Sequence, residues 1–109
     1  MTQKSPDGAI PETGQINKLI HEPARLNIMA CLFVIESADF LFLTRQTGLT
    51  DGNLSSHMAK LEDVGYIQIK KDFVGKKPRT MLSLTEQGRT EFQLYRANIA
   101  KLLGALPDD

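Results

Sequence analysis

Few residues in this chain are placed to do bond-making chemistry. The two histidines, His21 and His57, and the single cysteine, Cys31, are too scattered for a metal site. No paired carboxylates stand at a catalytic spacing, and no Cys/His pair is present. No glycine-rich stretch runs into Gly-Lys-Ser/Thr, so the phosphate-loop pattern is not met. The expectation is a protein that is not an enzyme and that uses no cofactor and no metal. Two polar stretches remain. The first is Thr50-Asp51-Gly52-Asn53-Leu54-Ser55-Ser56-His57-Met58-Ala59-Lys60. Asn can pair in bidentate fashion with adenine, Ser can bond several base edges, and Lys suits a phosphate. The second holds Lys70, Lys71, Lys76, Lys77 and Arg79 against Asp72 alone, a net charge of +4 from Tyr66 to Thr80. Such a patch favours phosphate by releasing counterions. A solvated helix face and a solvated charge run are the plainer alternatives.

The first stretch reads as a helix over residues 51–64. Thr50 is a suitable N-cap, and Leu49 with Leu54 forms a hydrophobic staple across the helix start. Leu54, Met58, Leu61 and Gly65 fall on one inward stripe. That turns Gly52, Ser55, Ser56, Ala59 and Lys60 outward, with Asn53 at the edge. Asp39 can cap a shorter helix over residues 40–47, ended by Gly48. Two short helices joined by a glycine-containing turn are the signature of a helix-turn-helix. Alternation then predicts strands over Tyr66–Lys70 and Thr80–Leu84, with turn residues Gly75 and Pro78 between them. A basic-tipped hairpin directly after a helix-turn-helix makes a wing, residues 70–80.

The flanks must supply the core. Ile16, Leu19 and Ile20 share one helical face, interrupted at Pro23. A second helical piece follows to about Glu36. Between Leu26 and Ile35 only Asn27 is polar, so this piece must be covered on more than one side, by its own chain or by a second copy. The last helix starts at Thr85 and runs to about Leu103. Phe92, Tyr95, Ile99, Leu102 and Leu106 form a heptad seam over two repeats, to pack on the first helix or on a partner. Ile16, Leu19, Ile20 and the five seam residues are the candidate dimerisation set. Arg25 is expected to pair with an acid such as Glu62. Cys31 reads as a small core residue, and His57, between the inward and outward faces, can either reach a phosphate or base or pack beside the first helix.

The bounds agree. A chain of 109 residues suits one domain, placed at residues 16–106, after a flexible Pro- and Gly-rich arm at residues 1–15. One cysteine allows no intrachain disulfide, which suggests a reducing, cytoplasmic setting. The longest apolar run, Ile28–Ile35, is far short of the ~18 residues that span a bilayer, and no secretory signal is expected. Thirteen basic residues balance thirteen acidic ones, but unevenly. Residues 1–39 carry −2, residues 40–80 carry +3 and residues 81–109 carry −1. Neutrality excludes a generic polycation, and leaves room for a local one.

From Leu19 to Leu106 the chain resembles the small winged-helix transcriptional regulators related to the MarR and ArsR groups. The resemblance is carried by Ile20-His21-Glu22-Pro23-Ala24-Arg25-Leu26-Asn27-Ile28-Met29, Phe40-Leu41-Phe42-Leu43 and Leu49-Thr50-Asp51-Gly52-Asn53-Leu54-Ser55-Ser56-His57-Met58. Leu61-Glu62-Asp63-Val64-Gly65-Tyr66 and Leu84-Thr85-Glu86-Gln87-Gly88-Arg89 complete it. It implies a mainly α fold with a small β-hairpin (α+β), a winged helix-turn-helix with N- and C-terminal dimerisation helices. It implies a homodimer on double-stranded DNA, reading a near-palindromic operator. Thr50, Asn53, Ser55, Ser56, His57 and Lys60 would act in the major groove, and Lys71, Lys76, Lys77 and Arg79 on the backbone or minor groove. A cleft for an unidentified small-molecule effector is implied by the resemblance alone. The chain lacks the clustered Cys or His ligands of ArsR-like metal sensors. A protein-interaction adaptor is the competing reading, since fold alone does not give function; an adaptor would carry an apolar patch on the third helix.

Overall fold

Ahead of the first helix the chain turns rather than winds. Asn17 Oδ1 accepts the backbone N–H groups of Leu19 and Ile20 at 3.0 and 3.1 Å, competing with helical bonding. The helix expected from Ile16 is therefore replaced by turns up to Glu22. In this computed structural model residues 16–107 are described. The expected arm, residues 1–15, lies outside the described residues.

Glu22 is extended and accepts Arg25 N–H with its carboxylate at 2.9 Å, so it caps helix α1, Pro23–Ile35, with Pro23 in the first turn. That bond holds the Glu22 carboxyl below its ordinary value, chiefly because the Arg25 N–H favours the charged form. Ile28, Met29 and Leu32 are buried, and α1 packs against every later helix and the sheet. The chain's own elements thus cover most of α1, although Val34 remains 77% exposed.

Three further helices and three strands follow: β1 Ser37–Asp39, α2 Phe40–Thr47, α3 Asp51–Asp63, β2 Ile67–Val74, β3 Lys77–Leu84 and α4 Glu86–Gly104. Asp39 caps α2 and Gly48 closes it in the left-handed region at φ 73°. The sheet is antiparallel, in the order β1-β3-β2. Strand β1, unforeseen in the sequence, pairs Ala38 with Leu82. The hairpin strands run further than the alternation suggested, to Val74 and Lys77, leaving a two-residue turn of Gly75 and Lys76. Gly75 has φ 63°, which suits the first central position of such a turn.

The core gathers Ile20, Ile28, Leu32, Leu43, Leu54, Leu61 and Leu82, all fully buried. Each contributes roughly 1.5–3 kcal/mol on burial. Helix α4 docks through Gly88, Phe92 and Tyr95. Thr85 Oγ1 accepts Gly88 N–H at 2.9 Å and donates to the Gly65 carbonyl, while Thr85 N–H donates to the Tyr66 carbonyl at 3.0 Å. A Cβ on Gly88 would stand 2.0 Å from that Tyr66 oxygen, so this close approach requires glycine.

The packing corrects the expected dimerisation set. Ile16, Ile20, Phe92 and Tyr95 are buried inside one chain, where the N-terminal turn lies against α4. The Tyr95 hydroxyl pairs with His21 Nδ1 at 2.8 Å, and burial raises the Tyr95 pKa. Leu19 and Ile99 pack partly against the same core. Leu102 is half-buried, and Leu106 is exposed near the chain's end.

Candidate nucleic-acid interface

Helix α3 starts where its residues require. Thr50 is extended and its Oγ1 accepts Asn53 N–H at 3.1 Å. Leu54, Met58 and Leu61 are buried, and Leu49 packs against the same core. The opposite side stays open: Gly52, Asn53, Ser55, Ser56, Ala59 and Lys60 are all exposed. The outward set predicted from spacing is therefore brought together on one surface, with Thr50 exposed at its start.

His57 takes a different place. Its Nδ1 lies 3.1 Å from Arg25 Nη1 and 3.9 Å from Glu22 Oε1. A guanidinium can only donate, so in this contact Arg25 Nη1 is the donor and His57 Nδ1 the acceptor. Arg25 Nε also donates to the Leu19 carbonyl at 2.6 Å. One arginine thus ties the N-terminal turn, α1 and α3 together. Arg25 is therefore paired with His57 rather than with the expected Glu62, and of the two places open to His57, reaching DNA or packing beside the first helix, it takes the second.

The wing carries its charge on lysines. Lys70, Lys71, Lys76 and Lys77 are exposed and form no salt bridge among the described residues. Arg79, expected on DNA, is engaged inside the hairpin. Its Nε and Nη2 donate to the two Asp72 oxygens at 2.9 and 2.8 Å, across a directly facing pair of the ladder. These bonds hold the Asp72 carboxyl below its usual value and raise Arg79 above its own. The net charge of the wing is as the sequence predicted, but four lysines carry it while Asp72 and Arg79 cancel.

A cleft of about 460 Å³ joins the two elements, lined by Ser55, Met58 and Glu62 of α3, Ile69 and Lys71 of β2, and Phe40. Ser55 and Lys71 therefore border one surface. Glu62, free of Arg25, sits in this cleft. Sequence reasoning missed Phe73 and Val74, which are exposed at the wing tip. Their signal was present, because the apolar alternation of Ile67 and Ile69 resumes at Phe73 after the ribbon has left the core.

Residues 24–103 match a winged helix DNA-binding domain family. An uncharacterized protein of Methanocaldococcus jannaschii is 34% identical over 85 residues, covering 78% of this chain and 92% of that protein. The structure of a transcriptional regulator homologue from Pyrococcus horikoshii superposes with a TM-score of 0.79 at 28% identity, covering 84% of this chain and 91% of the other. Reduced AbfR bound to DNA shares the fold, with a TM-score of 0.60 at 19% identity over 77% of this chain and 58% of AbfR. Four helices, a three-stranded antiparallel sheet and this match over most of its length make the chain a member of the winged helix DNA-binding domain family.

Proposed function

We propose that the chain is a transcriptional regulator that reads double-stranded DNA as a homodimer in the cytoplasm. The observation that carries this reading is the shared border of the open α3 face and the lysine wing, where Ser55 and Lys71 line one cleft. In this reading Asn53, Ser55 and Ser56 meet base edges in the major groove, near the helix start as recognition helices do. Lys60, Lys71, Lys76 and Lys77 meet phosphates. Thr50 sets the helix start, His57 sets its seating, and Arg79 shapes the wing. AbfR, seen on DNA with the same fold, lends support.

The dimer contact shifts to what one chain leaves uncovered. Leu103 and Leu106 are exposed on and just beyond the end of α4, and Ile99 and Leu102 are half-buried. Pairing of two such ends would give the seam its second side. Two α3 helices about 34 Å apart would then read a near-palindromic operator. The polar α3 face does not suit an adaptor, which would present an apolar patch there.

Selection of binding sites from a random duplex pool tests this. Enrichment of an inverted repeat with half-sites about one helical turn apart is expected. Failure to enrich any sequence would overturn it.

A further inference from the structure

Ile67 and Ile69 anchor the β2–β3 ribbon, and from Lys70 to Pro78 every residue is exposed. This free half ends in apolar side chains. Phe73 is 70% exposed and faces Pro78 across the ladder, while Val74 is 56% exposed and faces Lys77. Side chains alternate along a strand, so Ile69, Lys71 and Phe73 share one ribbon face. Ile69 and Lys71 line the cleft beside Ser55, so that face looks towards the α3 side. Phe73 continues the line outward, roughly 7 Å beyond Lys71 at the ordinary strand rise.

We propose that Phe73 is a wedge for the DNA minor groove and determines specificity beside the half-site. The inference rests on the DNA-reading function above. Its occupant follows from charge. Lys71 lies two residues back on the same ribbon face as Phe73, and Lys76 and Lys77 stand at the adjoining tip, so the surface the tip meets is densely anionic yet offers apolar contact between its charges. A duplex groove does so, with phosphates at its rims and sugars and stacked bases between them. Apolar side chains that enter the minor groove partly unstack a base step. That unstacking is least costly at flexible pyrimidine–purine steps, so Phe73 favours operators whose flank carries TA or CA over those with a stiff A-tract there. The lysines bind any flank, and the ring selects among flanks.

The test uses the full chain and the duplex recovered by selection, with the flank varied and 2-aminopurine placed at the step. The wild-type chain should prefer the flexible flank by about tenfold, the lower part of the range for one base-pair position. It should also raise the 2-aminopurine fluorescence. Phe73→Ala should abolish the preference and the fluorescence rise while leaving the salt dependence unchanged, because no charge is lost. Phe73→Leu should keep both. Paired Lys76→Ala and Lys77→Ala changes should do the reverse, lowering the salt slope by about 1.8 and keeping the preference. A wild-type chain that enriches the half-site but ignores the flank overturns the wedge and leaves the DNA reading standing. Failure to enrich any duplex overturns both. A Phe73-dependent sedimentation with anionic phosphatidylserine vesicles, without flank preference on DNA, assigns the tip to a lipid surface and overturns it too.

Discussion

Leu54, Met58 and Leu61 sink one face of α3 into the core, whereas the β2–β3 hairpin is exposed throughout from Lys70 to Pro78. Both elements border the same cleft, yet they are held by different means. Helix α3 is fixed by packing, by the Thr50 cap and by the Arg25–His57 contact. The outer wing is held by ladder bonds and one exposed ion pair. The difference matches two recognition tasks. Base edges are read only when donors and acceptors are accurately placed, which a core-anchored helix provides. Phosphates are met by charge over a broad range of positions, and a loosely held ribbon of lysines suffices. Regions with few buried contacts also open locally at low free energy.

The largest test of this contrast is Leu54→Ala. The side chain is fully buried, and its truncation should cost about 2–5 kcal/mol in denaturant unfolding. Lys76→Ala in the wing should change stability by less than about 0.5 kcal/mol. Similar values for both would mean that the helix is no better anchored than the wing. Next is Gly88→Ala at the root of the wing. The added methyl meets backbone rather than a yielding side chain, so α4 must move off Tyr66. A loss of about 1–3 kcal/mol is expected, at the upper end because a carbonyl cannot be repacked. A cost near zero would show that the α4–wing junction is free to adjust.

Legibility in the sequence divides along the same line. Helices α2 and α3 were readable because their signals are local: Asp39 and Thr50 cap from within three residues, and Gly48 closes α2. The outward face of α3 followed from the spacing of Leu54, Met58 and Leu61. Strand β1 was not readable, because three residues hold no period and their pairing with β3 lies more than forty positions away. The Arg25–His57 contact was hidden for the same reason, being set by the crossing of two helices. In the wing the net charge was readable, but its carriers depended on register. Placing Asp72 opposite Arg79 requires a two-residue turn, and the sequence suggested a longer one. The heptad seam of α4 showed that Phe92 and Tyr95 are covered. Spacing could not say that their own chain covers them.

A smaller effect sits at the start of α3. Thr50 Oγ1 accepts Asn53 N–H, one of the donors that the first turn leaves unpaired. Thr50→Ala should cost about 1 kcal/mol, and Thr50→Ser should recover most of it. The same substitution should weaken selection between operators more than it weakens binding to bulk duplex. Asn53 and Ser55 lie in the turn that frays, while the wing lysines are untouched. Equal losses on both kinds of duplex would mean that α3 acts through charge alone.

The smallest expected effect on stability, and the one that separates the two regions most cleanly, belongs to Asp72. The Arg79 bonds depress its folded-state pKa. Its contribution is therefore present above the unfolded carboxylate value and is lost as pH falls through the depressed one. The pair is exposed, so global stability should barely respond. What should respond is the ribbon itself. Below that pH, hydrogen-exchange protection in the outer halves of β2 and β3 should fall while that of α3 holds. Asp72→Asn should reproduce the loss at neutral pH, since an amide cannot offer Arg79 two acceptor oxygens. Arg79→Lys should do nearly the same, because a lysine cannot make the two parallel bonds. If the amides of α3 lost protection together with those of the wing, helix and ribbon would be one cooperative unit. The division of labour between a placed reader and a loosely held clamp would then fail.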